Sequence, residues 1–287
     1  MLASSAVMVV FPLVLACGSF SADPGAVEPS GLDGGGDDGS PHGGDGGADA
    51  GPGVDAAAPS GAYAMEVAKD APIAWYRLDD PAGSMTLKNE MTPASPAAVT
   101  GTVVLGVPSL VAGGGGAASF DGANGYLTLA GDFDFAGTAA YSLEAWISPN
   151  VIDSVYRRIF SNETGTPNSA SWNGYLFSLQ ETQLRFGRLT SGVGCGPLIA
   201  PTFAAKTIHH VVATFHANTA ELYVDGNAVP SSSTCVAPIT VTRGTTCVGG
   251  APTGSLFDGV LDEVAIYDKA LDNARIAAHA AAGGLPR

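Results

Sequence analysis

The segment HHVVATFHANTAELYVDGNAV, residues 209–229, contains two short apolar runs joined by a polar break. The first run, residues 209–215, carries apolar side chains on both faces of an extended strand, which predicts a central position in a sheet. The second run, residues 220–226, follows directly after the polar sequence HANT. Two strand-like runs separated by a short polar loop predict an antiparallel hairpin.

Runs of the same kind recur from Tyr63 onward and are separated by Gly, Pro, Asn and Asp. The clearest are GYLTLAG (125–131), YSLEAWISP (141–149), YLFSLQ (175–180) and QLRFGRL (183–189). The composition of the chain, with 39 Gly, 19 Pro and 14% charged residues, is poor in helix formers. The sequence therefore predicts an all-β protein of many short antiparallel strands.

Only the C-terminal segment LDNARIAAHAAAGG is predicted to be helical. Asp272 is placed to act as N-cap, Ile276 and Ala280 share one face, and Gly283 is expected to end the helix. No second break in composition follows Tyr63, so we expect one two-sheet sandwich over residues 63–287 rather than two domains.

Five segments resemble, in this order, parts of the laminin-G-like, concanavalin A-like jelly-roll domains of bacterial exported proteins. They are APIAWYRLDD (71–80), ASFDGANGYLTL, YSLEAWISP, HHVVATFHANTAELYVDGNAV and FDGVLDEVAIYDKALDNARIAAHAAAG. The resemblance covers roughly residues 63–284. It implies two antiparallel sheets in a curved jelly-roll sandwich, with the first and last strands adjacent.

The N-terminus has an apolar run over residues 6–16 that is too short to span a bilayer and that ends at Cys17. It predicts an export signal. The sequence VLAC (14–17) resembles the lipobox of bacterial lipoproteins, which implies cleavage before Cys17 and lipid attachment to that residue. No Lys or Arg precedes the run, since the first basic residue is Lys69. A buried N-terminal strand is the alternative.

Residues 17–62 are rich in Gly, Asp, Ala and Pro and contain no basic residue. Such a segment cannot bury a core, so we expect a disordered tether with a mean reach of roughly 40 Å and a stretched length of about 150 Å. The alternative, a calcium-binding nonapeptide repeat, requires a recurrence in register that this segment lacks.

The net charge of −15, with twelve scattered basic residues, argues against nucleic-acid binding. An acidic protein of this kind suits export or cation binding.

The tripeptide Phe-Asp-Gly occurs twice, at residues 120–122 and 257–259. Adjacent terminal strands would bring the two copies toward one edge of the sandwich. Domains of the resembling family often carry a structural calcium near this edge, and the matching residues are Asp121 and Asp262. Calcium takes six to eight oxygens, which a turn and neighbouring carboxylates can supply. The alternative is that Asp121 binds its own turn amides and that Asp262 pairs with Arg77 or Arg275.

Some sandwiches of this kind are glycoside hydrolases, which need two carboxylates across the scissile bond. One such family carries Glu-x-Asp-x-x-Glu on a single strand, a spacing that does not occur here. Glu144 stands alone in its strand, and strand alternation predicts that Asp262 and Glu263 point to opposite faces while Val264 and Ile266 enter the core. These features favour a protein that is not an enzyme.

Trp75 and Trp146 lie within apolar strand patterns and are expected in the core. Trp172 lies in a long polar loop and is our candidate ligand-binding residue, with core packing beneath that loop as the alternative. His210 is expected to be a packed sheet residue.

With Cys17 committed to lipid, three cysteines remain, and at most one bridge forms between them. If residues 209–229 form a hairpin, the flanking segments emerge on the same side, which favours a Cys195–Cys235 disulfide that leaves Cys247 as a buried thiol in a strand. A Cys235–Cys247 bridge is the competing prediction.

The sequence thus predicts an exported, membrane-anchored lipoprotein of the bacterial cell envelope, at the outer membrane or cell surface. Its folded part is expected to be a non-catalytic binding or adhesion module for carbohydrate or another surface ligand. A glycan-active enzyme of the same fold and a purely structural surface protein are the alternatives.

Overall fold

The structure, a computed structural model, describes residues 61–166, 169–194, 198–199, 202–234 and 244–285. The helices are α1 (Ala62–Lys69) and α2 (Asn273–Ala282). The strands are β1 (Ala74–Tyr76), β2 (Thr86–Leu87), β3 (Ala97–Thr100), β4 (Val103–Val107), β5 (Ala117–Asp121), β6 (Tyr126–Leu129), β7 (Tyr141–Pro149), β8 (Arg157–Thr164), β9 (Asn173–Gln180), β10 (Gln183–Thr190), β11 (Val193–Gly194), β12 (Leu198–Ile199), β13 (His209–His216), β14 (Thr219–Val224), β15 (Asn227–Thr234), β16 (Thr246–Val248) and β17 (Asp258–Tyr267).

The strands form two antiparallel sheets. The eight-stranded sheet has the order β15-β14-β13-β7-β17-β5-β4, with β1 also paired to β17. The nine-stranded sheet has the order β11-β10-β9-β8-β16-β6-β3-β2, with β12 also paired to β10. The predicted all-β sandwich of two antiparallel sheets is confirmed.

The hairpin predicted from residues 209–229 is present as β13 and β14. Its register places Val211 opposite Val224 and His216 opposite Thr219. Strand β13 also pairs with β7, so it is a central strand, as its two apolar faces predict. The first and last strands are adjacent, since Trp75 of β1 lies opposite Ala265 of β17.

A large apolar core lies between the sheets. Phe160, Phe177 and Phe186 of the nine-stranded sheet belong to the same buried cluster as Val264 and Ile266 of β17. The inward orientation predicted for the two β17 residues is confirmed. Each such buried side chain stabilises the fold by about 1.5–3 kcal/mol, so the strand alternation determines which faces of the sheets meet.

A second apolar cluster lies on the other face of the eight-stranded sheet, where the two helices pack. It includes Tyr63 of α1, Ile276 of α2, and Trp146 and Tyr267 of the sheet. The helices therefore cover the outer face of this sheet.

Helix α2 is the one that the sequence predicts. Asp272 accepts a hydrogen bond from Arg275 N, and Ile276 and Ala280 are buried. The chain needs glycine at Gly283 because a Cβ there would lie 2.0 Å from Trp146 Cζ2.

Helix α1 corrects the expectation of a single helix. It has no side-chain N-cap and only eight residues, a length at which an isolated helix is marginal in water. Tyr63, Ala64 and Val67 are buried, so packing on the sheet stabilises α1. Within the described ranges, no helix has the length and apolarity needed to cross a bilayer.

Candidate functional site

Three polar residues lie side by side across the centre of the nine-stranded sheet. Arg158 of β8 is opposite Ser178 of β9, and Ser178 is in turn opposite Arg185 of β10. Directly opposed residues share a face, and the neighbours Phe177 and Phe186 point into the core. Arg158, Ser178 and Arg185, the Arg-Ser-Arg row, therefore point to the outer face.

The Arg-Ser-Arg row has hydrogen-bonding capacity that the fold does not use. Arg158 is 7% exposed and Ser178 is fully buried, while Arg185 is half-buried. Arg158 Nη1, Ser178 Oγ and Arg185 Nε have no hydrogen-bond partner in the part of the chain that the structure describes. Leaving a buried polar group unsatisfied costs about 1–3 kcal/mol, so the row lowers the stability of the sheet unless these donors gain partners.

Tyr156 lies beside both arginines. The guanidinium carbons of Arg158 and Arg185 are 6.0 Å and 5.8 Å from the centroid of its ring. Arg185 Nη1 also donates to the Tyr156 hydroxyl at 3.5 Å. The Tyr156 side chain is 39% exposed, so it presents aromatic surface to solvent at the edge of the row.

Glu163 connects Trp172 to the row. Trp172 Nε1 donates to Glu163 Oε1 at 2.9 Å, and Arg158 Nη2 donates to the same oxygen at 3.3 Å. Ser161 Oγ donates to Glu163 Oε2, which also lies 3.0 Å from Arg158 Nε. Trp172, the candidate from the sequence, is half-buried and is held against the outer face of the sheet rather than in the core between the sheets.

The sequence alone does not predict the Arg-Ser-Arg row. Its members lie on three different strands, and only the strand register brings them together. The available signal was a polar residue between apolar neighbours in two of the three strands, as in FSL around Ser178 and LRF around Arg185.

The two Phe-Asp-Gly copies meet at the edge of the sandwich, as the sequence predicts, with Asp121 directly opposite Asp258. Asp121 Oδ1 accepts from the amides of Asn124 at 3.0 Å and Ala123 at 2.9 Å. These backbone hydrogen bonds hold the pKa of Asp121 below its usual range. Asp121 therefore stabilises its own turn, in which Gly122 has a φ of 67°.

The structure corrects the predicted calcium pair. Asp262 lies four residues beyond Asp258, which places it about 13 Å from Asp121 along the strand direction. Asp262 Oδ2 accepts from Ser109 Oγ at 2.6 Å and Leu110 N at 2.8 Å. Burial raises the pKa of Asp262 to about 6. The two carboxylates do not fit one calcium ion, because the register separates them and each has its own partners.

The alternative partners for Asp262 also need correction. Arg77 Nη2 binds Glu263 Oε1 at 3.0 Å, and Arg275 pairs with Glu66 and with Asp70 of the helix region. Among the described residues, no group of three or more His, Cys, Asp or Glu side chains is arranged to hold a metal ion.

A β-bulge corrects the predicted orientation of Asp262 relative to Glu263. The pairing of β17 with β7 shifts between Asp262 and Ala265, and Glu263 has a φ of 50°. Glu263 Oε2 accepts from Trp75 Nε1 at 2.8 Å on the helix-covered face of the sheet. Asp262 lies opposite Trp146, which belongs to the same face, so the two carboxylates share a face instead of pointing apart. Burial raises the pKa of Glu263 to about 8.

Glu144 is the single carboxylate of β7, as the sequence shows, and it lies at the centre of a buried hydrogen-bonded cluster. Its carboxylate accepts from Tyr63 OH at 2.8 Å and Tyr267 OH at 2.6 Å. It lies 2.7 Å from His210 Nε2 and 3.0 Å from His279 Nδ1. Glu144, His210 and His279 are fully buried, so this cluster joins the helices to the sheet and is closed to substrate. The prediction that His210 is packed in the sheet is confirmed.

The predicted tryptophan and cysteine positions are described in part by the structure. Trp75 and Trp146 are buried, as predicted. Cys247 is buried in β16, in agreement with its predicted position in a strand. The sites predicted at Cys17, Cys195 and Cys235 lie outside the described residues.

The sequence and the fold match known proteins. The concanavalin A-like lectin/glucanases superfamily matches residues 121–277, which is more than half of the chain. No curated protein matches the chain in sequence.

Solved structures share the fold at low identity. Domain 4 of AbnA, a GH43 extracellular arabinanase from Geobacillus stearothermophilus in complex with arabinotriose, is 19% identical with a TM-score of 0.54, and the match covers 73% of this chain and 98% of that domain. The botulinum neurotoxin serotype D/C binding domain is 15% identical with a TM-score of 0.55, and the match covers 72% of this chain and 51% of that one. Trypanosoma rangeli sialidase is 15% identical with a TM-score of 0.51, over 72% of this chain and 32% of the sialidase.

Proposed function

Because this chain belongs to the concanavalin A-like lectin/glucanases superfamily, we propose that its folded part is a non-catalytic module that binds a glycan at a surface. Two similar structures support a binding role, since one is a domain in complex with arabinotriose and another is a toxin binding domain. Their low identity to this chain means that the choice of site rests on the residues of this chain.

The proposal rests on the aromatic side chains at the outer face of the nine-stranded sheet. Tyr156 is exposed and Trp172 is half-buried, and both contact groups of the Arg-Ser-Arg row or its partner Glu163. A sugar ring presents an apolar face that packs on aromatic side chains and hydroxyl groups that bind polar ones. The guanidinium of the half-buried Arg185, beside the Tyr156 ring, supplies such a polar group.

The distribution of carboxylates supports binding without hydrolysis. Glu163 is the single Asp or Glu among the described strands of the nine-stranded sheet. Hydrolysis by the common mechanism needs two carboxylates roughly 5–10 Å apart on either side of the scissile bond. Glu144, Asp262 and Glu263 belong to the other sheet and are buried.

A glycan array tests the proposal directly. The full-length chain is expected to bind at least one glycan, and Tyr156→Ala and Trp172→Ala are expected to weaken that binding at least tenfold. Met65→Ala is a matched control, because Met65 is 56% exposed on α1, which packs on the other sheet. Bound glycans are then analysed for cleavage. Release of shortened products would establish an enzyme and overturn the non-catalytic assignment. An array without any binding would contradict the proposal that the ligand is a glycan.

We also propose that the chain is anchored to the bacterial envelope by lipid on Cys17, with the tether holding the module away from the membrane. The lipobox-like sequence VLAC and the Gly- and Asp-rich composition of residues 17–62 support this. Cys17→Ser is expected to move the protein from the membrane fraction to the soluble fraction. Unchanged fractionation, together with an unchanged mass of the N-terminal peptide, would contradict it.

A further inference from the structure

A pocket of 340 Å³ lies beside the β13-β14-β15 edge of the eight-stranded sheet, and we call it the edge pocket. One part of its lining comes from the segment 202–208, which leads from the nine-stranded sheet into β13. Phe203 N in this segment donates to Thr182 O in the β9–β10 turn at 2.8 Å. Asp225, in the turn between β14 and β15, and residues at the start of β15 complete the lining. The edge pocket is therefore built on anchored elements of both sheets.

Apolar side chains form part of the lining. Phe203, Val224 and Val229 line the edge pocket and also pack with the core between the sheets. The Phe203 ring meets the His209 imidazole edge to face, with 4.6 Å between the ring centroids. These contacts hold the apolar surface in place, so it is ready for an apolar part of a ligand.

Asp225 supplies a fixed carboxylate. Its Oδ1 accepts from His210 N at 3.0 Å, and its Oδ2 lies 2.9 Å from His209 Nδ1. The Asp225 side chain is 33% exposed, so a ligand can reach it. An ionised carboxylate has about four lone-pair sites, and the two contacts leave about two of them for a ligand.

Asn227 supplies a second acceptor. Its Nδ2 donates to Asp225 O at 3.0 Å, which orients the amide, and its Oδ1 has no hydrogen-bond partner among the described residues. The Asn227 side chain is exposed. Among the described residues that line the edge pocket there is no Lys or Arg. The edge pocket thus combines an apolar surface with accessible acceptors, an arrangement that suits a ligand with several donors and no negative charge.

We propose that the edge pocket binds a single neutral sugar ring, at a place separate from the face that carries Tyr156 and Trp172. A sugar ring has adjacent hydroxyl donors on its rim and an apolar face, and hydrogen bonds to an ionised acceptor such as Asp225 are about twice as strong as neutral ones. An acidic sugar would bring its own carboxylate beside Asp225 and is disfavoured. Ligand pockets span roughly 300–1,000 Å³, so the small volume of this one suits one ring. The inference rests on the proposed function only in taking a sugar as the ligand.

The test uses methyl hexopyranosides, each of which is one neutral ring. Saturation-transfer NMR with the full-length chain screens the methyl glycosides of glucose, galactose and mannose, and calorimetry measures the Kd of those that bind. We expect at least one to bind, and the matching methyl glycoside of the uronic acid to bind at least tenfold more weakly. Putrescine serves as the probe for a cationic ligand and is expected to bind more weakly than the neutral glycoside.

Variants locate the binding. Asp225→Asn keeps a residue that the turn favours and removes the charge, so it should lower the affinity at least tenfold. Ala228→Trp places a bulky side chain at an exposed lining position and should abolish binding. Glu221→Gln removes a carboxylate from an exposed position on β14 outside the edge pocket and should change nothing, as should Tyr156→Ala. Circular dichroism and the melting temperature establish that each variant is folded, and Asn227→Ala replaces either lining variant that is not.

The outcomes separate this inference from the proposed function. Failure of every neutral methyl glycoside to bind, or wild-type affinity of the folded lining variants, would overturn the edge pocket as a sugar site. Array binding that depends on Tyr156 and Trp172 would then leave the proposed function in place. Tighter binding of the uronic acid glycoside or of putrescine would overturn the neutral sugar as the ligand class. An array and a glycoside panel that both show no binding would contradict both proposals.

Discussion

Glu144 of β7 and His279 of α2 lie 3.0 Å apart, between Oε1 and Nδ1, with both side chains fully buried. The other ring nitrogen of His279 lies 2.9 Å from Asp70 Oδ2, directly after α1. One imidazole therefore joins the sheet, the C-terminal helix and the end of the N-terminal helix. Buried charged groups of this kind are costly unless every partner is present, which makes the cluster a sensitive point of the fold.

Removal of the Glu144 carboxylate is expected to destabilise the protein strongly. Glu144→Ala leaves Tyr63, Tyr267, His210 and His279 without their shared acceptor, and breaking such a buried network costs about 3–5 kcal/mol. Urea denaturation of the full-length chain measures the loss. Glu66→Gln, at a partly exposed ion pair on α1, should cost below about 1 kcal/mol. A Glu144→Ala loss no larger than that of Glu66→Gln would contradict the role given to the cluster.

The Glu144 cluster should lose its stabilising effect at both ends of the pH range. Burial lowers the pKa of His279, but Glu144 and Asp70 outweigh burial and raise the pKa above 6.5. The stabilisation of the fold by protonated His279 is therefore full below pH 6.5 and declines as the pH rises through the folded pKa. Burial raises the pKa of Glu144, but His279 and His210 outweigh it and hold the pKa well below 4.5. That contribution is full above pH 4.5 and declines as the pH falls.

The measurement for His279 is the difference in free energy of unfolding between the wild type and His279→Gln as a function of pH. We expect this difference to be largest below pH 6.5 and to shrink at higher pH. A difference that is constant from pH 5 to pH 9 would show that His279 has the same pKa in the folded and unfolded chains.

Glu263 should make the protein less stable as the pH rises. Burial raises its folded pKa to about 8 from 4.5, so the stability that the protonated form supports declines between pH 4.5 and pH 8. Glu263→Gln keeps the shape of the side chain and cannot ionise, so the decline of melting temperature over this range should become shallower. An unchanged slope would mean that Arg77, whose Nη2 lies 3.0 Å from the carboxylate, keeps Glu263 ionised throughout.

Asp121 is expected to stabilise its turn without calcium. Asp121→Ala removes the acceptor for three backbone amides of the turn, at residues 123–125, and should cost about 1 kcal/mol, given the exposure of the site. Thermal melts in calcium and in chelator measure the effect, and the loss should be equal in the two. A wild-type melting temperature that falls in chelator, while that of Asp121→Ala does not, would restore a calcium ion at this residue.

We predict a disulfide between Cys195 and Cys235. In the chain-entropy model, a bridge that closes about forty residues contributes on the order of 4 kcal/mol. Peptide mapping without reduction should recover the Cys195–Cys235 linked peptide. A Cys235–Cys247 linked peptide, or three unmodified thiols, would show that this pairing is wrong.

The sequence by itself determined the features that a few consecutive residues encode. Alternation over residues 209–229 predicted the hairpin of β13 and β14, and Asp272 with its following residues predicted α2. The turn-forming Phe-Asp-Gly copies marked the edge where the terminal strands meet. Hydrophobic periodicity and helix capping depend on the residues of one strand or one helical turn. They therefore predict that element without knowledge of the strand or helix against which it packs.

Only the tertiary structure decided the features that depend on register and burial. Arg158, Ser178 and Arg185 become one row through the pairing of three strands, and Glu144 acquires partners from residues as far apart as Tyr63 and His279. The bulge at Glu263 puts Asp262 and Glu263 on one face where alternation predicts opposite faces, because one extra residue interrupts the alternation of side chains. Helix α1 exists because the sheet offers an apolar surface for Tyr63 and Val67, a stabilisation that its eight residues lack on their own.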